Sequence, residues 1–122
     1  VSAQRQGAAP RLSLRLDLPG GRVGPGKVAL LEAIEREGSI SAAGRALAMS
    51  YRRAWELVGT LNALLGTPAV ATSPGGARGG GATLTEAGRR LVADYRAIEA
   101  AAQLAAAPRL ADLARGLPDA EG

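Results

Sequence analysis

Between Gly24 and Gly66 the chain carries three apolar-periodic stretches separated by very short breaks, and this punctuation constrains the fold more than any other feature. Gly24-Pro25-Gly26 leads into Val28, Leu30, Leu31 and Ile34, with Lys27, Glu32, Glu35, Arg36 and Glu37 as the polar complement, and Gly38 supplies a helix stop. Ser39 or Ser41 can cap a second helix through Ala42, Ala43, Ala46 and Leu47, because a serine hydroxyl accepts one of the free N–H groups of a first turn. After the brief Ala48-Met49, Ser50 can cap a third, longer helix with Ala54, Leu57, Val58, Leu61, Leu64 and Leu65 on one face, closed by Gly66-Thr67-Pro68. A short helix, a tight connection and a longer helix make a helix-turn-helix arrangement.

The flanks complete the outline. Residues 1–10 are small, polar and without period, a flexible arm. Leu12, Leu14, Leu16 and Leu18 alternate with Ser13, Arg15 and Asp17, the period of an N-terminal strand with one buried face, ended by Pro19-Gly20-Gly21. Val70 and Thr72, a glycine-rich run from Ser73 to Gly81, and Thr83-Leu84 read as a two-stranded hairpin, or wing. Thr85 caps a long fourth helix expected to run from about Glu86 into the alanine run and to end before Pro108. A short amphipathic stretch, Arg109 to Leu117, stops at Pro118. The expected organisation is therefore an arm (1–10), one mainly α domain with a small β component (11–107) and a short tail (108–122).

Composition narrows the chemistry. The 122 residues suit one domain, and the sequence has neither cysteine nor histidine, so disulfides, thiolate zinc sites, Cys or His nucleophiles and His general bases are excluded. The carboxylates Glu32, Glu35 and Glu37 lie on one helix without a histidine and read as a solvated face; no enzyme, metal or cofactor is expected. No window approaches a membrane span and no signal-peptide pattern opens the sequence, which points to a soluble cytoplasmic protein. Of 15 basic residues 14 are arginine, against 11 acidic ones, and arginine's planar fork suits phosphates and guanine edges.

Taken together, Gly38-Ser39-Ile40-Ser41-Ala42-Ala43, Ser50-Tyr51-Arg52-Arg53-Ala54-Trp55, Asn62, the run from Gly75 to Gly81, and Leu84-Thr85-Glu86-Ala87-Gly88 resemble the DNA-binding domain of molybdate-responsive regulators of the ModE type. The first and last of these pieces also resemble LysR-type regulators, whereas the Ser50–Trp55 segment and the glycine-rich wing point to ModE. The resemblance covers roughly residues 11–107 and implies a winged helix-turn-helix that binds double-stranded DNA as a homodimer. ModE proteins continue into molybdate-binding domains where this sequence stops, so it is expected to be a stand-alone member or a fragment, with no molybdate site visible.

On a helical wheel centred on Ala54, Val58, Leu61 and Leu65, Arg52, Glu56 and Gly59 lie on the far side, with Arg53 and Trp55 on the flanks. The N-terminal end of a recognition helix faces base edges, which makes Arg52 the candidate for guanine readout, Ser50 and Tyr51 candidates for base or phosphate contacts, and Arg53 on the flank a further DNA-contact candidate. Trp55 has two readings, a core residue between helices or a contact to thymine methyl or sugar. Ser39 and Ser41 are caps that are compatible with phosphate contacts, and Arg45 either clamps a phosphate or faces water. The glycine run lacks the Gly-Lys-Ser/Thr of a nucleotide loop, so it reads as a wing tip with Arg78 placed for a minor groove.

From Arg45 to Arg90 six arginines face Glu56 and Glu86, a local +4, and the first 26 residues add +3, so the charge sits in the candidate DNA-reading elements and in the arm. Leu91, Tyr95, Ile98 and Ala102, spaced by three and four along the fourth helix, are the expected dimer stripe. Two rivals stand beside this reading. One is a LysR-type DNA-binding module, against which the third helix lacks the characteristic LysR pattern; the other is a winged helix that docks a protein partner.

Overall fold

The computed structural model describes residues 9–74 and 80–118. They divide into two compact units, Leu14–Tyr95 and one formed from the two ends of the chain, up to Ser13 and from Arg96.

In the first unit the order is β1 (Leu16–Leu18), β2 (Gly21–Val23), α1 (Pro25–Glu37), α2 (Ile40–Ala46), α3 (Tyr51–Leu65), β3 (Val70–Ser73), β4 (Gly81–Leu84) and the start of α4 (Glu86–Arg115). This is the winged helix-turn-helix that the sequence implies. Pro25 opens α1, where its missing N–H costs nothing, and Val28, Leu30, Leu31, Ala33 and Ile34 are fully buried. Gly38 ends the helix at φ 84°, a left-handed conformation that glycine adopts without steric penalty, and its N–H bonds the Ile34 carbonyl at 2.9 Å.

Of the two serines that follow, Ser39 is the cap of α2: its hydroxyl accepts the Ala42 N–H at 3.0 Å. Ser50 caps α3 in the same way through the Arg53 N–H, and Gly66 ends it. The face of α3 that carries Ala54, Val58 and Leu61 is buried, as the wheel requires, with Leu57, Leu64 and Leu65 packed against the core's edge.

The wing is antiparallel, Val70 opposite Leu84 and Ser73 opposite Gly81. Its base is held from three sides. The Asn62 Oδ1 accepts the Ala69 N–H at 2.7 Å, Glu35 Oε1 accepts the Leu84 N–H at 3.1 Å, and the Gly38 carbonyl accepts the Ala82 N–H at 2.8 Å. Thr85 caps α4 through the Gly88 N–H and donates its hydroxyl to the Pro68 carbonyl. Gly88 itself must lack a side chain, since a Cβ there would stand 2.2 Å from the Ala69 carbonyl oxygen.

Three expectations need correction. The N-terminal strand is a hairpin: only Leu16–Leu18 is laddered, against the unanticipated β2, with Pro19-Gly20 as the turn between them. Leu12 and Leu14 alternate in burial but have no strand partner to satisfy their backbone. Next, α4 does not end before Pro108 but continues through it to Arg115. A proline deletes one intrahelical hydrogen bond, and here it stands between alanine-rich turns and Leu110, Leu113 and Ala114, whose strong helix propensity carries the helix across the gap. Finally, Leu91 and Tyr95 are core residues. Tyr95 is fully buried with its hydroxyl donated to the Leu14 carbonyl at 2.7 Å, so neither side chain is available to a second copy.

The second unit holds the rest of α4 beside residues 9–13, where the Leu12 N–H is donated to Gln103 Oε1 at 2.8 Å. Ile98, Leu104, Leu113 and Leu117 are exposed there, and Ala102 is half-buried. Among the described residues no helix is long and apolar enough to cross a membrane.

Candidate nucleic-acid interface

The cap that starts α3 also fixes which side chains leave the domain there. With Ala54 and Val58 pointing inward, Arg52 leaves the far side of the first turn, and Tyr51 and Trp55 emerge together on one flank. The Arg52 side chain is 89% exposed, with Nε 3.5 Å from Glu56 Oε2. Tyr51 is 61% and Trp55 41% exposed, and their rings meet edge to face with centroids 6.1 Å apart. The core reading of Trp55 is thereby overturned: the only tryptophan sits at the surface, edge to face with Tyr51 one turn away.

These aromatics form one wall of a groove of about 230 Å³. Ser39 and Ser41 contribute the start of α2, Tyr51 and Trp55 the start of α3, and Thr72 and Ser73 the outgoing strand of the wing. Four of the residues singled out from sequence therefore share one concave surface, lined with hydroxyls and aromatic edges. Thr72, Ser73 and the backbone of Gly80 and Gly81 join them; the linear pattern places these in the wing but not in the groove, because β3 alternation identifies a strand, not which face meets α3.

The other candidates lie around this groove. Arg45 is exposed one turn along α2 and donates Nη1 to the Ser41 hydroxyl at 2.8 Å, which orders both side chains. Ser50 is exposed, its hydroxyl engaged as the cap. Arg53 leaves α3 on the flank away from the wing, with Nη1 3.6 Å from Glu56 Oε1. Arg78 lies outside the described residues. Glu56 thus faces both Arg52 and Arg53 in exposed pairs of the kind that contribute about 1 kcal/mol or less, so an incoming anion can replace it.

Glu35 and Asn62 act one step removed. By accepting wing-base N–H groups they set where β3 and β4 stand against α3. The sequence reading of Glu35 as simply solvated missed this, because its partner Leu84 is 49 residues away.

The chain is similar to known proteins. The sequence pattern of bacterial regulatory helix-turn-helix proteins of the lysR family matches residues 26–89, from the start of α1 to the first turn of α4. The match runs through α3, so that helix's departure from the LysR pattern does not take the chain out of the family. Among characterised relatives, the molybdenum-pterin-binding protein MopB of Rhodobacter capsulatus is 54% identical over 85 residues, 70% of this chain and 32% of the relative. The molybdenum transport protein ModE of Azotobacter vinelandii is 47% identical over 89 residues, 73% of this chain and 33% of the relative. The DNA-binding transcriptional dual regulator ModE of Escherichia coli (strain K12) is 38% identical over 71 residues, 58% of this chain and 27% of the relative. The matched segment thus spans about a third of the length of such relatives. Among solved structures, the CbnR_DBD–DNA complex superposes with a TM-score of 0.51 at 27% identity, covering 75% of this chain and 93% of that one.

Proposed function

The chain belongs to the lysR family of bacterial regulatory helix-turn-helix proteins, and on that premise we propose that it is a sequence-specific DNA-binding transcription regulator of the ModE type. The observation that carries this reading is the exposure of Tyr51, Arg52 and Trp55 together at the N-terminal end of α3, beside a hydroxyl-lined groove that runs to the wing. A B-DNA major groove is about 12 Å wide and admits one helix. With α3 in it, Arg52 reaches guanine O6 and N7, Trp55 offers an apolar edge to a thymine methyl or sugar, and Ser39, Ser41 and Arg45 lie against backbone phosphates. Arg78, outside the described residues, is the residue we assign to the minor groove beyond the wing.

The protein acts as a homodimer in this proposal. Support comes from the apolar side chains that α4 exposes past Tyr95, with Ile98 45% and Leu104 79% exposed. Of the stripe drawn from sequence, Ile98 and Ala102 remain as candidates for the pairing. A two-fold pair of recognition helices calls for an inverted-repeat operator with half-sites a whole number of turns apart.

Selection of bound sequences from a random duplex pool tests the reading. An inverted repeat should emerge for the parent protein, and Arg52→Ala should flatten the preference at one position in each half-site. Recovery of no enriched sequence, with weak binding that does not respond to salt, would overturn it in favour of a protein-docking winged helix.

A further inference from the structure

We propose that the β1–β2 hairpin and the start of α1 form a second clamp for the DNA backbone, on the side of α3 opposite the wing. The proposal rests on the reading just given and extends its footprint.

Arg15, Arg22, Lys27 and Arg53 line one concave surface of about 500 Å³, with Met49 and Leu57 as its apolar floor. These four cations come from three places: the hairpin with the residue that precedes β1, the first turn of α1 and the first turn of α3. None is required by the core, and like charges brought together repel. What holds them is weak or indirect. Lys27 Nζ donates to the Arg22 carbonyl at 2.6 Å, while Asp17, opposite Arg22 in the hairpin, lies 3.2 Å from Arg22 Nε and 3.8 Å from Arg15 Nε. The arginine side chains stay 58–64% exposed, so these ion pairs stand in water and yield readily to a phosphate.

Geometry selects the anion. A major groove is bounded by two sugar-phosphate backbones, and a helix seated in it meets one on each flank. The wing flank of α3 is lined by Ser39, Ser41, Thr72 and Ser73, whereas the hairpin flank is lined by arginine and lysine. Arg53 belongs to both α3 and the cationic surface, which makes the two continuous. Exposed cations spread over an open surface do not converge on a single small anion. They match a row of phosphates, and the row they meet lies beyond the bases that Arg52 reads.

The test compares two duplexes, one ending at the selected recognition site and one extended by half a turn at each end. With Arg15 and Arg22 both replaced by alanine, binding to the extended duplex should weaken about tenfold at low salt. The slope of log K against log salt should become shallower by about 0.9 for each arginine removed. Binding to the short duplex should stay at the parent's level. Asp17→Asn, which keeps all four cations, should tighten binding to the extended duplex about twofold and serves where the double variant does not fold. Parent-like affinity and salt slope on the extended duplex in these variants, while Arg52→Ala still loses discrimination, would overturn the clamp and leave the DNA reading standing. Failure of the parent itself to discriminate among duplexes would instead remove the reading on which the clamp rests.

Discussion

Helices α1 and α3 are nearly equal in length, 13 and 15 residues, and they use their bulk in opposite ways. α1 turns every large aliphatic side chain inward and leaves outside a mixed acidic and basic face of which Glu35 supports the wing. α3 buries only Ala54, Val58 and Leu61, and sends outward the single tryptophan and one of two tyrosines. In a chain with no phenylalanine, that placement withholds from the core the single tryptophan and one tyrosine, leaving Tyr95 as its aromatic. The difference separates scaffold from instrument: aliphatic residues and the buried Tyr95 hold the unit Leu14–Tyr95 together, and the Tyr51–Trp55 surface is free for a partner.

Two substitutions can break this contrast. Leu31→Ala, at a fully buried position in α1, should lower unfolding free energy by about 3 kcal/mol through lost burial and the cavity left behind. Denaturant titration measures it, and a loss below about 1 kcal/mol would mean that α1 is not the scaffold. Trp55→Ala should show the reverse profile. Its stability cost should stay at or below about 1 kcal/mol, since the ring is already at the surface, while affinity for the selected duplex falls about tenfold, equivalent to about 1.4 kcal/mol. A variant that melts early but binds normally once folded would return Trp55 to the core.

The same contrast explains what was legible in the sequence. Caps and stops were, because each needs one residue type at one place: Ser39, Ser50 and Thr85 accept the N–H groups expected of them, and Gly38 and Gly66 take left-handed conformations. Buried faces were legible too, since Ala54, Val58 and Leu61 repeat at helical spacing. What failed depended on partners distant in sequence. β2 is three residues, Gly-Arg-Val, too short to show alternation, and becomes a strand only opposite Leu16–Leu18. Tyr95 lies on an apolar stripe that reads identically whether it packs inward or against a second copy, and its bond to the Leu14 carbonyl decides the matter. The clustering of Arg15, Arg22, Lys27 and Arg53 was visible only as a regional charge, because three elements bring it together.

The smallest expected effect concerns the turn between α2 and α3, which must orient the instrument without being part of it. Ala48 has φ 58°, and it is the only residue other than glycine with positive φ among those described. A Cβ in that conformation crowds the following carbonyl and costs about 1–2 kcal/mol. The turn tolerates it because the neighbouring backbone is fully engaged: Leu47 N–H bonds the Ala43 carbonyl at 3.1 Å and Met49 N–H the Gly44 carbonyl at 2.9 Å, while Ala48 itself is exposed. Ala48→Gly removes the crowding but adds freedom to the unfolded chain, a cost of about 0.5–1 kcal/mol. The balance should be a gain of about 0.5–1 kcal/mol in unfolding free energy, read as a small rise in the denaturation midpoint, with duplex affinity within twofold of the parent. A rise in stability accompanied by weaker binding would show that the strained turn holds α3 at an angle the relaxed turn does not keep, and would place Ala48 with the instrument and not with the scaffold.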